Sequence, residues 1–594
     1  MRKYLTLVVL AAALVFTPAL AQGVLNLAPA DALFAIAITE PQAVLDRTGQ
    51  VRAEFERLDV AGKFAAAFGG LAGAVGDAGL RAPDAFGRLL GLGYQDAALY
   101  VRPAGGEFPV TFAALARLNA ASLAGAEAIL ADILAQARTE PGVRITEQAE
   151  GAYRFWVVEN SSAGNLAIAL GSVVDTYVIA SGADEYRAIV RRATRTGAAN
   201  LLANPAYQRV NGRLALGANF RIFVDWTAIT TVVESLVTRG SIPREYRAAA
   251  DRLTALFSTL GAQGFALSFQ PDGLQGESVL AVNPAGGDPA LAELLTARGQ
   301  GLPRAGELAP GEALSFSATS ANTLPGFYEY LRELLASVPD APPDLNEFVA
   351  SRFGLDLRGQ VLAWQGSELA TFTLPTPRRG RDAPATLNPL GEMGVILAAR
   401  NEAQARAGID AIVQVAIELV APPVTDAPRG RQAAPPPAPQ QSVHAGVGYT
   451  LLDLGGFGVA YTLIRGYAVI TTSEEAIKKV IDVSRGATPS IYQAAGYERL
   501  RGLIQPGANS VGYADVPASL RELGDQLQMV LFLIPTFAAL AGIDLEVDFR
   551  TLNAAVSALD QFLDYLAGRA GGSITSVTVS GDTVYERSFT SFRW

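Results

Sequence analysis

Cysteine is absent from this chain, histidine occurs once, and lysine is confined to Lys3, Lys63, Lys478 and Lys479. Without cysteine there are no disulfides, no thiolate nucleophile, no thiolate metal ligand and no lipobox attachment. The single histidine, His444, cannot assemble a zinc site alone, and beside a proline-rich stretch it reads as a solvated loop residue. No GxSxG elbow, HExxH helix or GxxxxGK[ST] loop occurs. Gly91-Leu92-Gly93 fails the dinucleotide fingerprint because Asp96 stands where its third glycine belongs. Asp544, Glu546 and Asp548 alternate, but they lack the glycine and spacing of a calcium loop and read as an acidic lead into a helix at Phe549. No metal and no cofactor is expected. With 47 basic against 57 acidic residues and a formal charge of −10, the chain has no field for nucleic acid.

What is present begins with an export signal. Arg2 and Lys3 precede the apolar run Leu5–Phe16, and Ala19-Leu20-Ala21 forms a small-x-small cleavage site. Pro18 and Gln22 argue against a retained anchor. A signal peptide over residues 1–21 directs the protein to the periplasm or cell surface, and no transmembrane span is expected in the mature chain.

The rest of the sequence repeats itself. LAPADALF at Leu27–Phe34 returns as LAPGEALS at Leu308–Ser315, and GANFRIFVDW at Gly217–Trp226 returns as GANSVGYADV at Gly507–Val516. Tyr177 with VIAS answers Tyr467 with VITT, and AYQRV at Ala206 answers GYERL at Gly496, each 290 positions on. This spacing implies duplication of a whole domain. The expected limits are 26–283 for the first copy, 284–306 for a linker and 307–594 for the second copy. A low-complexity insertion at 421–441 interrupts the second. A basic loop carries Arg378, Arg379 and Arg381.

Short β-branched and aromatic segments read as strands: AALYVRP, VTFAALARL, YRFWVV, NLAIAL and TYVIA in the first copy, and VLAWQ, LATFTL and GVILAAR in the second. Leu123, Ala126, Leu130, Ile133, Leu134 and Ala137 mark one face of a helix, and Ile409, Ile412, Val413 and Ala416 mark its counterpart. Ser181 with Asp184, and Thr471 with Glu474, have capping-box spacing. Each copy closes on a hairpin, around Pro271-Asp272-Gly273 and around Gly581-Asp582. The expected fold class is α+β, with two tandem similar domains, each a mainly antiparallel sheet packed by amphipathic helices.

Asp225 and Asp515 are the candidate site residues. Each recurs at the end of a strand and before a helix, where a carboxylate serves either as an N-cap or as a functional group. The run MVLFLIPTFAALAG, Met529–Gly542, is too short to span a bilayer and reads as a buried helix or a lipid- or ligand-facing surface. The terminal Trp594 invites comparison with outer-membrane barrels, but the repeat argues against that reading and the amphipathic helices fit a barrel wall badly.

The opening LAPADALFAIAI, the later NPAYQRV and the strand GANFRIFVDW together resemble a family of exported bacterial proteins classified only as a domain of unknown function. Here the opening carries an extra alanine, and the second copy has Glu312 in place of the aspartate. The resemblance implies export and the α+β fold, and brings no activity. The expected function is that of an exported, non-catalytic envelope protein acting by binding or scaffolding, its partner an envelope protein or a lipid. The alternatives are a periplasmic carrier of lipid or another apolar ligand, and a carboxylate-based hydrolase using Asp225 and Asp515.

Overall fold

The computed structural model describes residues 21–67, 92–104, 110–139, 142–160, 167–195, 198–215, 217–240, 242–339, 344–376, 392–420, 438–453, 458–524 and 549–594. Nearly all of the signal segment, the arginine loop, the Met529–Gly542 run, the acidic triplet and most of the proline-rich insertion lie outside the described residues.

The fold is α+β. The first half supplies β1 (Phe34–Thr39), β2 (Tyr94–Pro103), β3 (Val110–Leu118), β4 (Val143–Glu150), β5 (Tyr153–Asn160), β6 (Ala167–Val173), β7 (Thr176–Ala180), β8 (Phe220–Asp225), β9 (Ala262–Gln270) and β10 (Gly273–Ala281). The second supplies β11 (Ser315–Thr319), β12 (Gln365–Leu374), β13 (Glu392–Ala399), β14 (Gln440–His444), β15 (Val447–Asp453) and β16 (Gly458–Ile464). It continues with β17 (Tyr467–Thr471), β18 (Ser510–Asp515), β19 (Ala570–Ser580) and β20 (Thr583–Phe592).

Hydrogen bonding orders the first set β4-β5-β6-β7-β3-β2-β1-β8-β9-β10, antiparallel throughout. The second set runs β14-β15-β16-β17-β13-β12-β11-β18-β19-β20, the same order position by position. The two series join through their last strands, since β10 pairs with β20 from Gly273↔Ser591 to Ala281↔Thr583. The halves therefore share one twenty-stranded sheet.

Helices cover both faces. In the first half they are α1 (Ala21–Leu25), α2 (Pro41–Arg57), α3 (Val60–Ala67), α4 (Ala120–Ala137), α5 (Ala183–Thr194), α6 (Pro205–Asn211), α7 (Trp226–Thr238) and α8 (Arg247–Leu260). A connector helix, α9 (Pro289–Leu295), precedes α10 (Leu324–Leu335), α11 (Leu345–Phe353), α12 (Glu402–Val420), α13 (Glu474–Ser484), α14 (Ala495–Leu500) and α15 (Phe549–Arg569). Small strand residues such as Ala35, Ala98, Ala113 and Ala180 let α5 and α6 lie close to the sheet, where Tyr186, Ile189 and Tyr207 are buried among them. Each such side chain contributes roughly 1.5–3 kcal/mol by leaving water. The second half repeats this layer with Ile477, Val480, Ile481 and Tyr497.

The repeated sequence motifs are two sides of one contact. Pro29 bridges Asn200, and the Leu201 N–H donates to Ala28; Pro310 bridges Ser490, and the Ile491 N–H donates to Ala309. The acidic residue of each opening turn meets a base, Asp31 with Arg102 at 3.4 Å and Glu312 with Lys479 at 2.7 Å.

Four local expectations are corrected. The helices α5 and α13 are not capped by Ser181 and Thr471: Gly182, with φ of 94° and no side chain to cap with, precedes α5, and α13 is capped by Ser473, which accepts from the Ala476 N–H at 3.0 Å. Ser181 instead accepts from the Phe112 N–H at 2.8 Å, and Thr471 is a buried strand residue donating to the Ser473 carbonyl at 2.8 Å. A true capping box lies at Ser490 and Gln493. The VLAWQ segment is not a strand, because Leu357–Leu362 forms a π-helical turn and β12 begins at Gln365.

The linker segment is packed. Asp288 caps α9, Leu291 is buried, and Asn509 donates to the Ala297 carbonyl at 3.2 Å. The fourth correction concerns register. Val178 pairs with Leu115 in the first core, and Val469 pairs with Ile396 in the second. Tyr467 thus matches Thr176, not Tyr177, and the two tyrosines point to opposite faces of the sheet. Strand side chains alternate, so a slip of one residue reverses the face.

Candidate functional site

Asp225 and Asp515 occupy equivalent strand ends. The Asp225 N–H donates to Leu33 and the Asp515 N–H to Leu314. The Asp225 carboxylate accepts from the Ala228 N–H at 2.9 Å and caps α7. Asp515 accepts from the Ala518 N–H at 3.0 Å, at the start of a helix opening at 516. Burial raises the Asp225 carboxyl above its usual range, while the Ala228 N–H and the Asn204 side chain oppose the rise. Both carboxylates satisfy helix amides that otherwise have no partner, which accounts for their presence in both halves.

His444 is not a free loop residue. It ends β14, and its Nε2 lies 2.7 Å from a carboxylate oxygen of Asp482 on α13. Sequence reasoning also missed a buried ionic network. Glu185 on α5 accepts from the Tyr100 hydroxyl at 2.5 Å, from Arg102 at 2.7 Å and from Arg192 at 2.9 Å. Arg192 also donates to the Leu27 carbonyl at 2.6 Å, tying the opening turn to β2 and α5. Burial raises the Glu185 carboxyl, but its hydrogen bonds to Arg102 and Tyr100 outweigh this and leave it below the usual carboxylate range. A second buried acid, Asp96, faces Arg117 beneath α1. Burial pushes it up to about 6, opposed by Arg117 and the Val24 N–H.

One open feature is a groove of about 480 Å³ between α4 and the ribbon β5-β6-β7; a wider one of about 810 Å³ lies in the second half, between Glu307, Arg465, Tyr492 and Arg501. Leu130, Ala131 and Leu134 form the helical wall of the first, with Trp156 and Tyr177 on the strand side. α4 starts at Asn119, whose side chain accepts from the Ser122 N–H at 2.8 Å, and it buries Ala126, Ile129, Leu130 and Leu134. Among the described residues it is the one helix long and apolar enough to cross a membrane, and here one face packs across β3 and β7. Glu127 stands at the groove with the Ser172 hydroxyl donating to it at 3.2 Å. Burial raises the Tyr177 hydroxyl far above the usual phenol range, with Tyr186 and Glu127 adding to the shift, so it stays protonated. Arg138 and Arg154 complete the lining. Arg154 reaches Glu147 only at 3.5 Å, with both side chains largely exposed.

No family model matches the chain, and no curated protein matches it. Among solved structures it is similar to crystal forms III and I of TP0453. Form III is 9% identical, with a TM-score of 0.24, over 46% of this chain and 88% of that one. Form I is 7% identical, with the same TM-score, over 46% of this chain and 86% of that one. Likeness at that level carries no argument about the site.

The groove was absent from the sequence reading, although the α4 face was in it. Leu130 and Leu134 fit a buried helical stripe whether or not space remains beside them. The signal lay in the comparison of halves. In register, Leu463 stands where the first half has Ser172, and Ala468 where it has Tyr177. There Ala405, Ile409 and Val413 of α12 close with Trp364, Leu452 and Ala468 into a continuous apolar cluster.

Proposed function

We propose that this is an exported, non-catalytic envelope protein, of the domain-of-unknown-function kind its motifs resemble, that works by binding. The observation that carries the reading is the contrast between equivalent positions of the halves: one has an aromatic-lined groove where the other has a buried apolar cluster. Small-molecule sites are typically concave, largely apolar and fitted with a few polar groups, within about 300–1,000 Å³. The signal-like segment at residues 1–21 supports delivery to the periplasm or cell surface. The capping roles of Asp225 and Asp515 support the non-catalytic reading, because each explains the carboxylate without chemistry.

The test is native mass spectrometry of protein isolated from its own envelope fraction, with N-terminal sequencing. A chain starting at Gln22 and carrying a stoichiometric non-covalent mass is the expected result. An intact Met1 on cytoplasmic material refutes export. Turnover abolished by Asp515→Asn, with the fold intact by circular dichroism, refutes the non-catalytic reading.

A further inference from the structure

Arg221 points into the first core. On β8 it shares a face with Phe223, beneath α6, and it is only 5% exposed. Two of its five N–H groups donate to the Asn211 side-chain oxygen and to the Ala215 carbonyl, both neutral acceptors. Among the described residues it pairs with no carboxylate. Glu277, whose charge reaches it, is held instead by the Ala215 N–H at 2.6 Å, by Gln275 at 2.9 Å and by the Tyr585 hydroxyl at 2.9 Å. A second donor faces the same space. The hydroxyl of Tyr207 on α6 is buried and has no hydrogen-bond partner. Burial raises it above its ordinary value, opposed by Arg221, so it keeps its proton. Both side chains line a cavity of about 10 Å³, room for one water-sized guest. Apart from Asn211, whose oxygen Arg221 already engages, the rest of the lining is apolar. A water there would meet donors but no free side-chain acceptor for its own hydrogens, whereas buried waters keep several polar partners. A buried cation without a counter-charge is costly. A small anion relieves that cost, accepts from both donors and needs no acceptor. The fold does not require the arginine: Val511 faces Ala318 across β18 and β11 as Arg221 faces Ala37 across β8 and β1, and Val511 is buried in the second core.

We infer that the cavity beneath α6 is a binding site for one small monovalent anion of the chloride class, held by the Arg221 guanidinium and the Tyr207 hydroxyl. A chloride is somewhat larger than a water, and a small shift of the Arg221 tip makes up the difference. The site joins α6 to β8, so its occupation stabilises the first half. It does not depend on the binding reading of the α4 groove.

Two measurements on the full mature protein test it. Long-wavelength diffraction from crystals grown in sodium chloride is expected to show an anomalous chloride peak in contact with the Tyr207 hydroxyl and the Arg221 guanidinium. Thermal unfolding is followed in parallel as sodium chloride replaces sodium gluconate at constant ionic strength. The parent midpoint is expected to rise saturably with chloride, because a ligand of the native state stabilises it by mass action. Arg221→Val, which copies the second half, loses that rise. Tyr207→Phe, which removes only a donor oxygen from a buried ring, weakens the apparent chloride affinity at least about tenfold. Circular dichroism in gluconate shows separately whether each variant folds, and if Arg221→Val does not, Tyr207→Phe and the anomalous peak decide. The inference is overturned if a water alone occupies the cavity, if the parent midpoint ignores chloride, or if the folded variants keep the parent's chloride response.

Discussion

The Tyr585 hydroxyl of β20 donates to Glu277 of β10 at 2.9 Å, across the line where the two halves meet. The seam around it is reinforced at both ends. Arg209 pairs with Asp582, and the Trp594 indole donates to the Gln270 carbonyl at 2.8 Å while its ring packs against Phe269. On the helical side, Phe55 of α2 meets Phe562 of α15 edge-on at 5.2 Å. The aromatic C-terminus thus closes the hairpin of the opposite half.

The halves will therefore stay together after the connector is cut. A protease site placed near Gly301 and cleaved in the folded protein is expected to leave a single species in size-exclusion chromatography, separating only in denaturant. Elution as two half-sized fragments under native conditions would show that the β10–β20 ladder and its flanking contacts do not hold.

Glu185→Gln is expected to destabilise the protein by about 3–5 kcal/mol in urea unfolding, because it leaves Arg102 and Arg192 facing a neutral group in a buried setting. Since the Glu185 carboxyl is held below its unfolded value, its contribution is present above roughly pH 4.5 and is lost as pH falls through the lower folded value. The mutant should therefore lose less stability than the parent on acidification below that point.

Asp96 works in the opposite direction. Its folded carboxyl titrates at about 6, above the unfolded value, so the folded state binds the extra proton between the two. Stability from this group rises as pH falls from about 7 to about 4, with a ceiling on the order of 3 kcal/mol reached near the unfolded value. Unfolding free energies of the parent and Asp96→Asn across that window measure it; parallel curves would contradict the assignment.

Asp225→Ala and Asp515→Ala should each cost about 1 kcal/mol, while the corresponding asparagine variants should be close to the parent, since an amide oxygen caps as well as a carboxylate. Equal losses in the alanine and asparagine variants would point to a need for charge at these positions.

Val174 holds φ of 58° in the β6–β7 turn and is 61% exposed. A β-branched residue in the left-handed region is strained by roughly 1–2 kcal/mol. Val174→Gly should therefore raise the melting temperature, and a lower one would show that the side chain makes an unrecognised contact.

Much of the architecture was legible because it rests on local pattern. Strand alternation, the hairpin signals at Pro271-Asp272 and Gly581-Asp582, and the apolar stripe of α4 are set by neighbouring residues. Asp225 and Asp515 could be placed at strand ends before helices for the same reason. LAPAD and NPAYQRV were legible only as recurring segments; that they touch, with the Asn204 side chain donating to the Ala30 carbonyl at 2.7 Å, came from the structure.

The remainder depended on packing between distant segments. Tyr177 and Tyr467 align in sequence, yet pairing to β3 and β13 sets them one residue out of step, and period-two alternation turns them to opposite faces. Ser181 and Thr471 had the spacing of caps, but each hydroxyl found a partner elsewhere and left the helix to open later. The Glu185 network joins residues more than eighty positions apart, so no window contains it. The sequence by itself determined the strands, the helices and their repeated order, because those follow from backbone preference and local periodicity. Only the tertiary structure decided the register, the β10–β20 seam and the difference between an open α4 groove and a filled α12 core, because each depends on which side chains meet across the sheet.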